Sequence, residues 1–270
     1  MPKIAFMNFE NKIIWITGAS SGIGKALTFE LSKRKAKLII SSRNVKVLEK
    51  VKKECLYPEN VKIIPLDLEN YESLASKVRE AISTYGKIDI LFNNGGISQR
   101  SLAKETSILV DKRIMTINYL GTIALSKALL PHFIENNQGH FVVTTSIVGK
   151  IGTPMRSSYA ASKHALHGFF DSLRAEIHQH TIKVTLACPG FVQTNVSINA
   201  LTGDGSPQNK MDKATRNGLT PFTFTKHLLK AVEAQKEEVY IAGFKEKLGI
   251  YTKRFFPKLL SQMIRKIAVT

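Results

Sequence analysis

The sequence predicts an α/β protein with a single domain, in which a doubly wound, mostly parallel sheet of seven strands is covered by helices on both faces. Short apolar runs alternate with amphipathic stretches of helical length along the chain. These runs are apolar throughout rather than at every second residue, as expected for strands buried on both faces. The length of 270 residues also fits one large α/β domain.

Seven runs are predicted to form the strands, because they are rich in β-branched and aliphatic residues and are bounded by turn-forming segments. They comprise residues 12–17, 37–41, 61–66, 88–92, 140–145, 182–187 and 238–241. Right-handed crossovers between them give a doubly wound sheet whose ligands bind at the carboxyl ends of the strands.

The intervening segments have the amphipathic pattern of helices. The clearest are residues 24–35, 45–55, 71–85, 111–135 and 159–178. Two regions depart from this alternation. Residues 195–221 are polar and rich in glycine and proline, which predicts a long lid-like excursion, since loops of this length are usually functional. Residues 244–270 are a basic amphipathic extension, so the predicted domain covers residues 1–243.

Composition excludes several classes of protein. Hydrophobic residues make up 43% and charged residues 22% of the chain, which is typical of globular proteins and not of disordered, collagenous or coiled-coil chains. No segment approaches the roughly 20 apolar residues that span a bilayer. Residues 1–10 lack the apolar core of a signal peptide, and Cys55 and Cys188 are the only cysteines, so we expect a cytoplasmic protein.

The formal net charge of +18 allows two interpretations. It indicates either a polyanionic partner or a lysine-rich solvated surface. The basic clusters at residues 33–35 and 50–53 fall on predicted helix ends, and no zinc-finger spacing or aromatic RNA-binding motif accompanies them. We therefore expect no nucleic acid among the partners.

A glycine-rich turn, residues 17–24, joins the first predicted strand to the first helix. Such a turn lets backbone N–H groups approach a pyrophosphate at the positive end of the helix. The spacing is G-x-x-x-G-x-G rather than the more common G-x-G-x-x-G. Tight turns favour glycine in any protein, but this position between strand and helix predicts a dinucleotide site.

The end of the second predicted strand indicates which dinucleotide binds. An acidic residue here would hold the 2′-hydroxyl of NAD, whereas an arginine accommodates the 2′-phosphate of NADP. Arg43 lies at this point and no acid follows before Glu49, which favours NADP(H) over the alternative of an ordinary surface arginine.

Asp67 either accepts a hydrogen bond from adenine or serves as a helix-start carboxylate. Residues 93–96 either form a plain turn or border the cofactor cleft.

Tyr159 and Lys163 lie four residues apart at the start of a predicted helix, so their side chains share one face. A free phenol has a pKa of about 10, and a neighbouring cation can lower that pKa by roughly 1–3 units. Ser146 follows the fifth predicted strand, where its hydroxyl can polarise a carbonyl oxygen held by Tyr159. Asn118 is a poor helix former inside a predicted helix, so it either breaks a turn and binds water or faces solvent.

Together these motifs resemble the short-chain dehydrogenase/reductase family, single-domain subgroup, over nearly the whole chain. The resemblance implies a Rossmann-type sheet, with Tyr159 as proton donor, Ser146 orienting the substrate, Lys163 binding ribose and Asn118 supporting a water relay. Gly95 stands where the family usually has alanine. Residues 155–216 resemble the hydroxysteroid-dehydrogenase-like branch, which includes membrane-associated members.

The same resemblance implies a set of cofactor contacts, a homodimer or homotetramer, and no metal. The contacts are Gly18, Ser20, Ser21, Gly22, Ile23, Gly24, Arg43, Asn44, Asp67, Leu68, Asn93, Tyr159, Lys163, Pro189, Gly190, Val192 and Thr194. The seven histidines form no His-Glu-x-x-His motif, and no Gly-x-Ser-x-Gly elbow indicates a hydrolase. Cys188 is expected to be a buried, inert thiol.

We therefore expect an NADP(H)-dependent oxidoreductase that interconverts a carbonyl and a secondary alcohol. The alternative is a non-catalytic NADP(H)-binding or membrane-docking protein of the same fold. An apolar substrate, lipid-like, steroid-like or aromatic, is suggested by a set of apolar residues near the lid: Met155, Phe191, Val196, Ile198 and Leu201.

The C-terminal extension leaves a second question open. Its apolar residues recur at helical spacing: Leu248, Tyr251, Phe255, Leu259, Met263 and Ile267. Basic residues are interleaved with them, and Pro257 is expected to divide the helix. This stripe either packs on the domain or a partner subunit, or lies in an anionic membrane interface. We expect packing for its first half and peripheral membrane contact for its last.

Overall fold

Seven parallel strands form one sheet in the computed structural model, which describes residues 8–265. Their order across the sheet is β3-β2-β1-β4-β5-β6-β7. The strands are β1 (Ile13–Thr17), β2 (Lys37–Ser41), β3 (Val61–Ile63), β4 (Ile90–Asn93), β5 (Gly139–Thr144), β6 (Ile182–Pro189) and β7 (Glu238–Ile241). The predicted doubly wound sheet is confirmed, with a reversal of strand order between β1 and β4.

Ten helices are present in the described part of the chain. They are α1 (Gly22–Lys33), α2 (Val45–Lys53), α3 (Leu74–Tyr85), α4 (Ile108–Met115), α5 (Gly121–Glu135), α6 (Ser157–Glu176), α7 (Lys213–Arg216), α8 (Pro221–Glu233), α9 (Phe244–Phe255) and α10 (Pro257–Ile264). None of the described helices combines the length and the apolar character needed to cross a membrane.

The sheet has a hydrophobic core on each face, because successive side chains of a strand point in opposite directions. In β1, Trp15 belongs to the core covered by α3, α5 and α6, whereas Ile14 and Ile16 belong to the core covered by α1, α2 and α8. All five residues of β1 are buried. This arrangement explains why the predicted strands are apolar along their whole length.

Two sequence-based boundaries need correction. The predicted strand 61–66 is shorter, since β3 ends at Ile63, although the amides of Ile64 and Leu66 still donate to the backbone of β2 and of the loop after it. The predicted helix 111–135 begins earlier, at Ile108, and is interrupted by a π-helical turn over Thr116–Leu120. Asn118 lies inside this turn. Such turns recur at functional sites, so the interruption directs attention to Asn118.

Residues 195–221 run across the carboxyl ends of the strands and contain only the short helix α7 within their span before α8 begins. Bridges of strand type connect Leu201 to Gln99 and Val192 to Leu219. The excursion is thereby fastened both to the loop after β4 and to the segment after β6.

The C-terminal extension folds as two helices, with Pro257 at the first position of α10, where its missing N–H costs nothing. The stripe residues Leu248, Tyr251, Phe255, Leu259 and Met263 are exposed in the single chain, and their packing on a partner subunit stays a prediction. Leu260 packs with Ile147 and Ile151 of the domain. Ile267 lies outside the described residues.

Candidate active site

A cavity of about 1120 Å³ lies at the carboxyl ends of the strands, where the strand order reverses. Open α/β sheets bind ligands at this position. Its wall is formed by the loops that follow β1, β2, β4, β5 and β6 and by residues of α9 and α10. The predicted dinucleotide and catalytic motifs converge on this one cavity.

In the glycine-rich turn at one end of the cavity, two parts of the backbone approach each other closely. Gly18 and Gly22 have φ values of +66° and +53°, which favour glycine. A methyl group at Gly24 would lie 2.2 Å from the carbonyl oxygen of Gly18. The first turn of α1 carries no acidic residue, and the Ser21 side chain does not cap it, so its backbone N–H groups remain available to an anion.

The segment after β6 closes over this turn. Pro189, Gly190, Val192 and Thr194 all line the cavity. A methyl group at Gly22 would lie 2.8 Å from Cγ2 of Thr194, so the two segments are in van der Waals contact. The structure therefore brings the predicted phosphate-binding turn and the predicted nicotinamide-covering segment together.

Ser42 and Arg43 follow β2 on the cavity wall. Arg43 is exposed, and the buried Ser42 Oγ has no hydrogen-bond partner among the described residues. Asp67 and Leu68 also line the cavity, and Asp67 Oδ1 accepts a hydrogen bond from the Glu69 amide. Predicted Asn44 lies off the wall and caps α2 by accepting from Val47 N at 3.1 Å.

After β4, Asn94 rather than the predicted Asn93 faces the cavity. The Asn93 side chain points away from the cavity, and its Nδ2 donates to Ser126 Oγ at 2.9 Å. Asn94 Nδ2 donates to the backbone oxygen of Thr17 at 3.2 Å and so joins β4 to the glycine turn. Sequence reasoning confused the two because both are asparagines at a strand end, and side-chain direction reverses from one residue to the next.

Ser146, Tyr159 and Lys163 meet at the other end of the cavity. All three side chains line the cavity, and Ser146 is close enough to Tyr159 to lower the pKa of its phenol. Lys163 Nζ donates to the backbone oxygen of Thr144 at 2.8 Å and lies 5.9 Å from the centre of the Tyr159 ring. The residue pair predicted from helical spacing and the serine predicted from strand position therefore form one cluster.

Asn118 connects to this cluster from the π-helical turn. Its Oδ1 accepts from Ile97 N at 2.8 Å, and its Nδ2 donates to Ile97 O at 2.9 Å and to Ser162 Oγ at 3.0 Å. A methyl group at Gly96 would lie 3.0 Å from Asn118 Oδ1 and 3.7 Å from Lys163 Nζ. The Asn118 amide and the Lys163 ammonium thus border the same small space beneath Gly96.

Burial dominates the electrostatics of Tyr159 and raises the pKa of its phenol. The hydrogen bond from Ser146 and the charges of Arg156 and Arg100 oppose that increase. Burial lowers the pKa of Lys163 to about 8. The sequence-based expectation of a phenol pKa lowered by Lys163 is therefore corrected, and Tyr159 carries its proton at neutral pH.

Sequence reasoning missed residues 98–101, which support the catalytic helix. Gln99 is fully buried, and its Oε1 accepts from Ser158 N at 2.9 Å and from Tyr159 N at 3.4 Å at the start of α6. Arg100 pairs with Asp212, which lies 112 residues away. No local pattern predicts contacts over such distances.

The apolar part of the cavity differs from its prediction in two respects. Phe191, Val196 and Leu201 line it, whereas Met155 and Ile198 do not. The C-terminal extension contributes further lining residues, chiefly Leu248, Thr252, Leu260, Met263 and Ile264. The extension therefore forms part of the cavity wall.

Cys188 is buried, as predicted, and burial raises the pKa of its thiol to about 12. It lies 3.7 Å from Nε2 of His167, whose Nδ1 is 3.4 Å from a Glu238 oxygen. Opposite ring nitrogens thus face the cysteine and the glutamate. His167 Nδ1 forms no hydrogen bond within the described residues, so its contact with Glu238 is a close approach only.

The sheet, the glycine turn and the Ser-Tyr-Lys cluster define a Rossmann-type α/β oxidoreductase. A family profile described as short chain dehydrogenase matches residues 12–204. The chain belongs to the short-chain dehydrogenase/reductase family.

Individual relatives agree with this membership. The chain is 37% identical over 265 residues to a dehydrogenase/reductase SDR family protein 7-like of Drosophila melanogaster, covering 96% of this chain and 81% of that relative. It is 38% identical to dehydrogenase/reductase SDR family member 7B of Mus musculus over 259 residues, covering 94% and 80%. A crystal structure of a Burkholderia phymatum short chain dehydrogenase/reductase, in complex with NAD, shares the fold with a TM-score of 0.81 at 21% identity, covering 94% and 96%.

The close approach of Gly24 to Gly18 leads to a first prediction. Gly24→Ala should lower the free energy of unfolding by about 1–3 kcal/mol, because its methyl group has no room beside the Gly18 carbonyl. Gly168→Ala in α6 is the matched control: no described atom lies within 4 Å of its added methyl group, and alanine should stabilise the helix by about 1 kcal/mol. Urea unfolding measures both changes. Equal effects of the two substitutions would contradict the close packing of the turn.

Proposed function

We propose that the protein is an NADP(H)-dependent oxidoreductase that transfers hydride between the nicotinamide and a carbonyl or secondary alcohol. The observation that carries this proposal is the convergence of Ser146, Tyr159 and Lys163 on the wall of the cavity that also holds the glycine turn. An acid–base group thereby faces the space in which a dinucleotide fits.

The residues present fit a dinucleotide. The open start of α1 and the glycine turn would hold the pyrophosphate, Asp67 the adenine, and Lys163 the ribose. Pro189, Gly190, Val192 and Thr194 would cover the nicotinamide. When bound, NADPH supplies a hydride to the carbonyl carbon, and NADP⁺ accepts one from an alcohol carbon.

The side chains of the cluster would carry out the proton transfer. In reduction, Ser146 holds the substrate oxygen and Tyr159 donates its hydroxyl proton to that oxygen as the charge develops. The phenolate left behind is stabilised by Lys163 and by the charges of Arg156 and Arg100. Asn118 would keep a water molecule beside Lys163 to restore the proton. Because burial raises the pKa of this phenol, proton donation depends on the neighbouring cations that stabilise the phenolate.

The preference for NADP(H) over NAD(H) is supported by Ser42 and Arg43. An unsatisfied buried hydroxyl and an exposed guanidinium lie side by side after β2, on the cavity wall. Both are donors suited to a 2′-phosphate, and no acid follows β2 in the sequence before Glu49.

Tyr159→Phe tests the catalytic proposal. This substitution should reduce turnover of a carbonyl substrate by at least about 100-fold, because it removes the proton donor, and leave NADPH binding within about twofold. Loss of NADPH absorbance measures turnover, and fluorescence titration measures binding. Retained turnover in the variant would exclude Tyr159 as the acid.

Arg43→Glu tests the cofactor preference. The variant should bind NADPH more than about tenfold more weakly, since a carboxylate would repel the 2′-phosphate, while NADH binding changes little. Lys46→Glu on the exposed side of α2 makes the same change in charge away from the cavity wall and is the control. Equal losses for NADPH and NADH would refute this assignment.

A membrane-facing role is supported by one further surface, the docking face, which consists of the exposed side of α9 and α10. Its exposed apolar side chains are Phe244, Leu248, Tyr251, Phe255, Phe256, Leu259 and Met263. Basic residues alternate with them, and Glu246, the one acid between residues 244 and 265, is turned inward to accept from Phe191 N at 3.2 Å.

We propose that this face attaches the enzyme peripherally to an anionic membrane from the cytoplasmic side. Exposed aromatics among lysines and arginines match a bilayer interface with acidic lipids. A second copy seated on the same face would bring like charges together, so we propose that the contacts of a homodimer or homotetramer lie elsewhere.

Vesicle flotation tests the docking face. The wild-type protein should float with vesicles of phosphatidylcholine and phosphatidylserine, and less with phosphatidylcholine alone. Phe255→Ser combined with Phe256→Ser should remove most of this binding, because these side chains are 68% and 64% exposed. Leu56→Ser, at a residue 63% exposed elsewhere, is the control. Flotation that is absent in the wild type, or unchanged in the double variant, would exclude this attachment.

A further inference from the structure

We propose that the substrate carries an anionic group, a carboxylate or a phosphate, close to its reacting carbonyl, and that Arg156 binds this group. The inference deepens the proposed reductase function and names the chemical class of its substrate. It rests on the cationic side of the cavity, which is separate from the predicted site of the dinucleotide.

Two buried guanidinium groups form part of the cavity wall. Arg100 and Arg156 both line the cavity, although their exposed fractions are only 6% and 5%. Burying a cation is costly unless it is compensated, so arginines are rarely placed in this way without a reason. The presence of two buried guanidinium groups next to Tyr159 therefore indicates that they have a functional role.

Hydrogen bonds fix the position of Arg100, mainly those to Asp212, which lies behind the cavity wall. Arg100 Nε and Nη2 donate to Asp212 Oδ2 at 2.8 and 2.6 Å, and Nη1 donates to Ser98 Oγ at 2.8 Å. The other Asp212 oxygen accepts from Gln208 Nε2 at 3.0 Å. Asp212 itself does not line the cavity. Arg100 therefore acts as a fixed positive charge.

Arg156 is the guanidinium closer to the chemistry. It precedes Tyr159 by three residues at the start of α6, and its Nη2 lies 3.5 Å from Asp212 Oδ2, a longer contact than those of Arg100. Burial and the charge of Arg100 lower the pKa of Arg156 to about 10, despite the attraction of Asp212. Arg156 thus adds a second buried positive charge to the part of the cavity wall that adjoins Tyr159.

Two acidic residues, Asp67 and Glu246, line the cavity. Asp67 follows β3 near Arg43, and Glu246 accepts hydrogen bonds from the Phe191 and Gly243 amides. A ligand anion would meet two guanidinium groups from the cavity side. Arginine is well suited to this task because its planar fork matches carboxylate and phosphate.

A neutral donor lies in the same loop. Thr153 lines the cavity, and its buried Oγ1 has no hydrogen-bond partner within residues 8–265. Buried hydroxyls are nearly always satisfied, so an unpartnered one on a cavity wall indicates a ligand atom. Thr153 and Arg156 lie three residues apart in the chain. The hydroxyl of one and the guanidinium of the other would bind the same ligand group.

The neighbouring wall is apolar. Ile147 directly follows Ser146 and packs with Ile151 and Leu260 in one hydrophobic cluster. Phe191 lies on the other side, its ring centre 5.5 Å from Arg156 Cζ. A substrate whose carbonyl reaches Tyr159 would therefore place an anionic group toward Arg156 and a hydrocarbon portion toward the isoleucines. This describes an amphiphilic oxo acid or oxo phosphate.

The test compares matched charged and neutral ketones. One pair is a long-chain 3-oxo carboxylate and its methyl ester, and the second is a long-chain keto phosphate monoester and its dephosphorylated alcohol. For the wild type, at least one charged member should have a kcat/KM more than about tenfold above its neutral partner. The pair that shows this difference identifies the anion as a carboxylate or a phosphate.

Substitution of Arg156 identifies the group responsible. Arg156→Gln should reduce kcat/KM for the charged substrate at least about tenfold more than for the neutral substrate, mainly through KM, because any loss from weaker stabilisation of the Tyr159 phenolate is common to both substrates. Arg156→Lys should restore part of the loss. Lys213→Gln removes an exposed charge beside Asp212 and should change neither substrate. NADPH binding measured by fluorescence verifies that each variant is folded.

Two outcomes would overturn the inference. Equal kcat/KM values for charged and neutral members of both pairs in the wild type would show that the cavity does not select an anion. Equal losses for both substrates in Arg156→Gln would show that Arg156 only stabilises the Tyr159 phenolate.

Calorimetry separates this inference from the proposed reductase function. Binding of an alkyl carboxylate and an alkyl phosphate that lack a carbonyl is measured with NADP⁺ present. Binding that depends on Arg156, without turnover of any ketone, would uphold the anion site and reject the reductase. Absence of binding by both probes would instead reject the anion site.

Discussion

The hydrogen bond from Lys163 to the backbone oxygen of Thr144 joins helix α6 to the end of strand β5, and the catalytic geometry depends on it. Ser146 lies two residues beyond Thr144, and Tyr159 lies one helical turn before Lys163. A contact between one ammonium and one carbonyl therefore determines how two chain segments, distant in sequence, present their hydroxyls to each other. It also satisfies a lysine whose burial would otherwise be costly.

The other supports of the site obey the same constraint, that a buried polar group needs a partner. The Gln99 carboxamide accepts from amides at the start of α6, and Asn118 forms hydrogen bonds with Ile97 and Ser162. These contacts hold α6 on the side opposite β5. The catalytic helix is consequently oriented by polar contacts at its first turns and by apolar packing further along, where Leu166 and Phe170 are buried.

The two C-terminal helices connect the surface with the cavity. Leu260 packs inward against Ile147, one residue after Ser146, while Phe255 and Phe256 face outward. The same short segment therefore forms part of the substrate cavity and exposes an apolar, basic surface. If that surface lies on a membrane, an amphiphilic substrate reaches the cavity with its hydrocarbon portion already near the apolar wall.

Much of the fold was predictable because local chemistry specifies it. Apolar runs predicted all seven strands, the glycine turn predicted the start of α1, and helical spacing predicted that Tyr159 and Lys163 share a face. Pro257 was predicted to divide the C-terminal extension, and the described helices α9 and α10 meet there. Each of these features depends on residues within a few positions of one another.

The sequence by itself determined the class of fold, the order of the strands' connections and the identity of the Ser-Tyr-Lys cluster. Only the tertiary structure decided that Asn94 faces the cavity in place of Asn93, that the stripe of the extension is exposed, and that Asp212 holds Arg100. The physical reason is range: backbone propensity and periodicity act over a few residues, whereas burial, charge compensation and cavity shape depend on segments that meet only after folding.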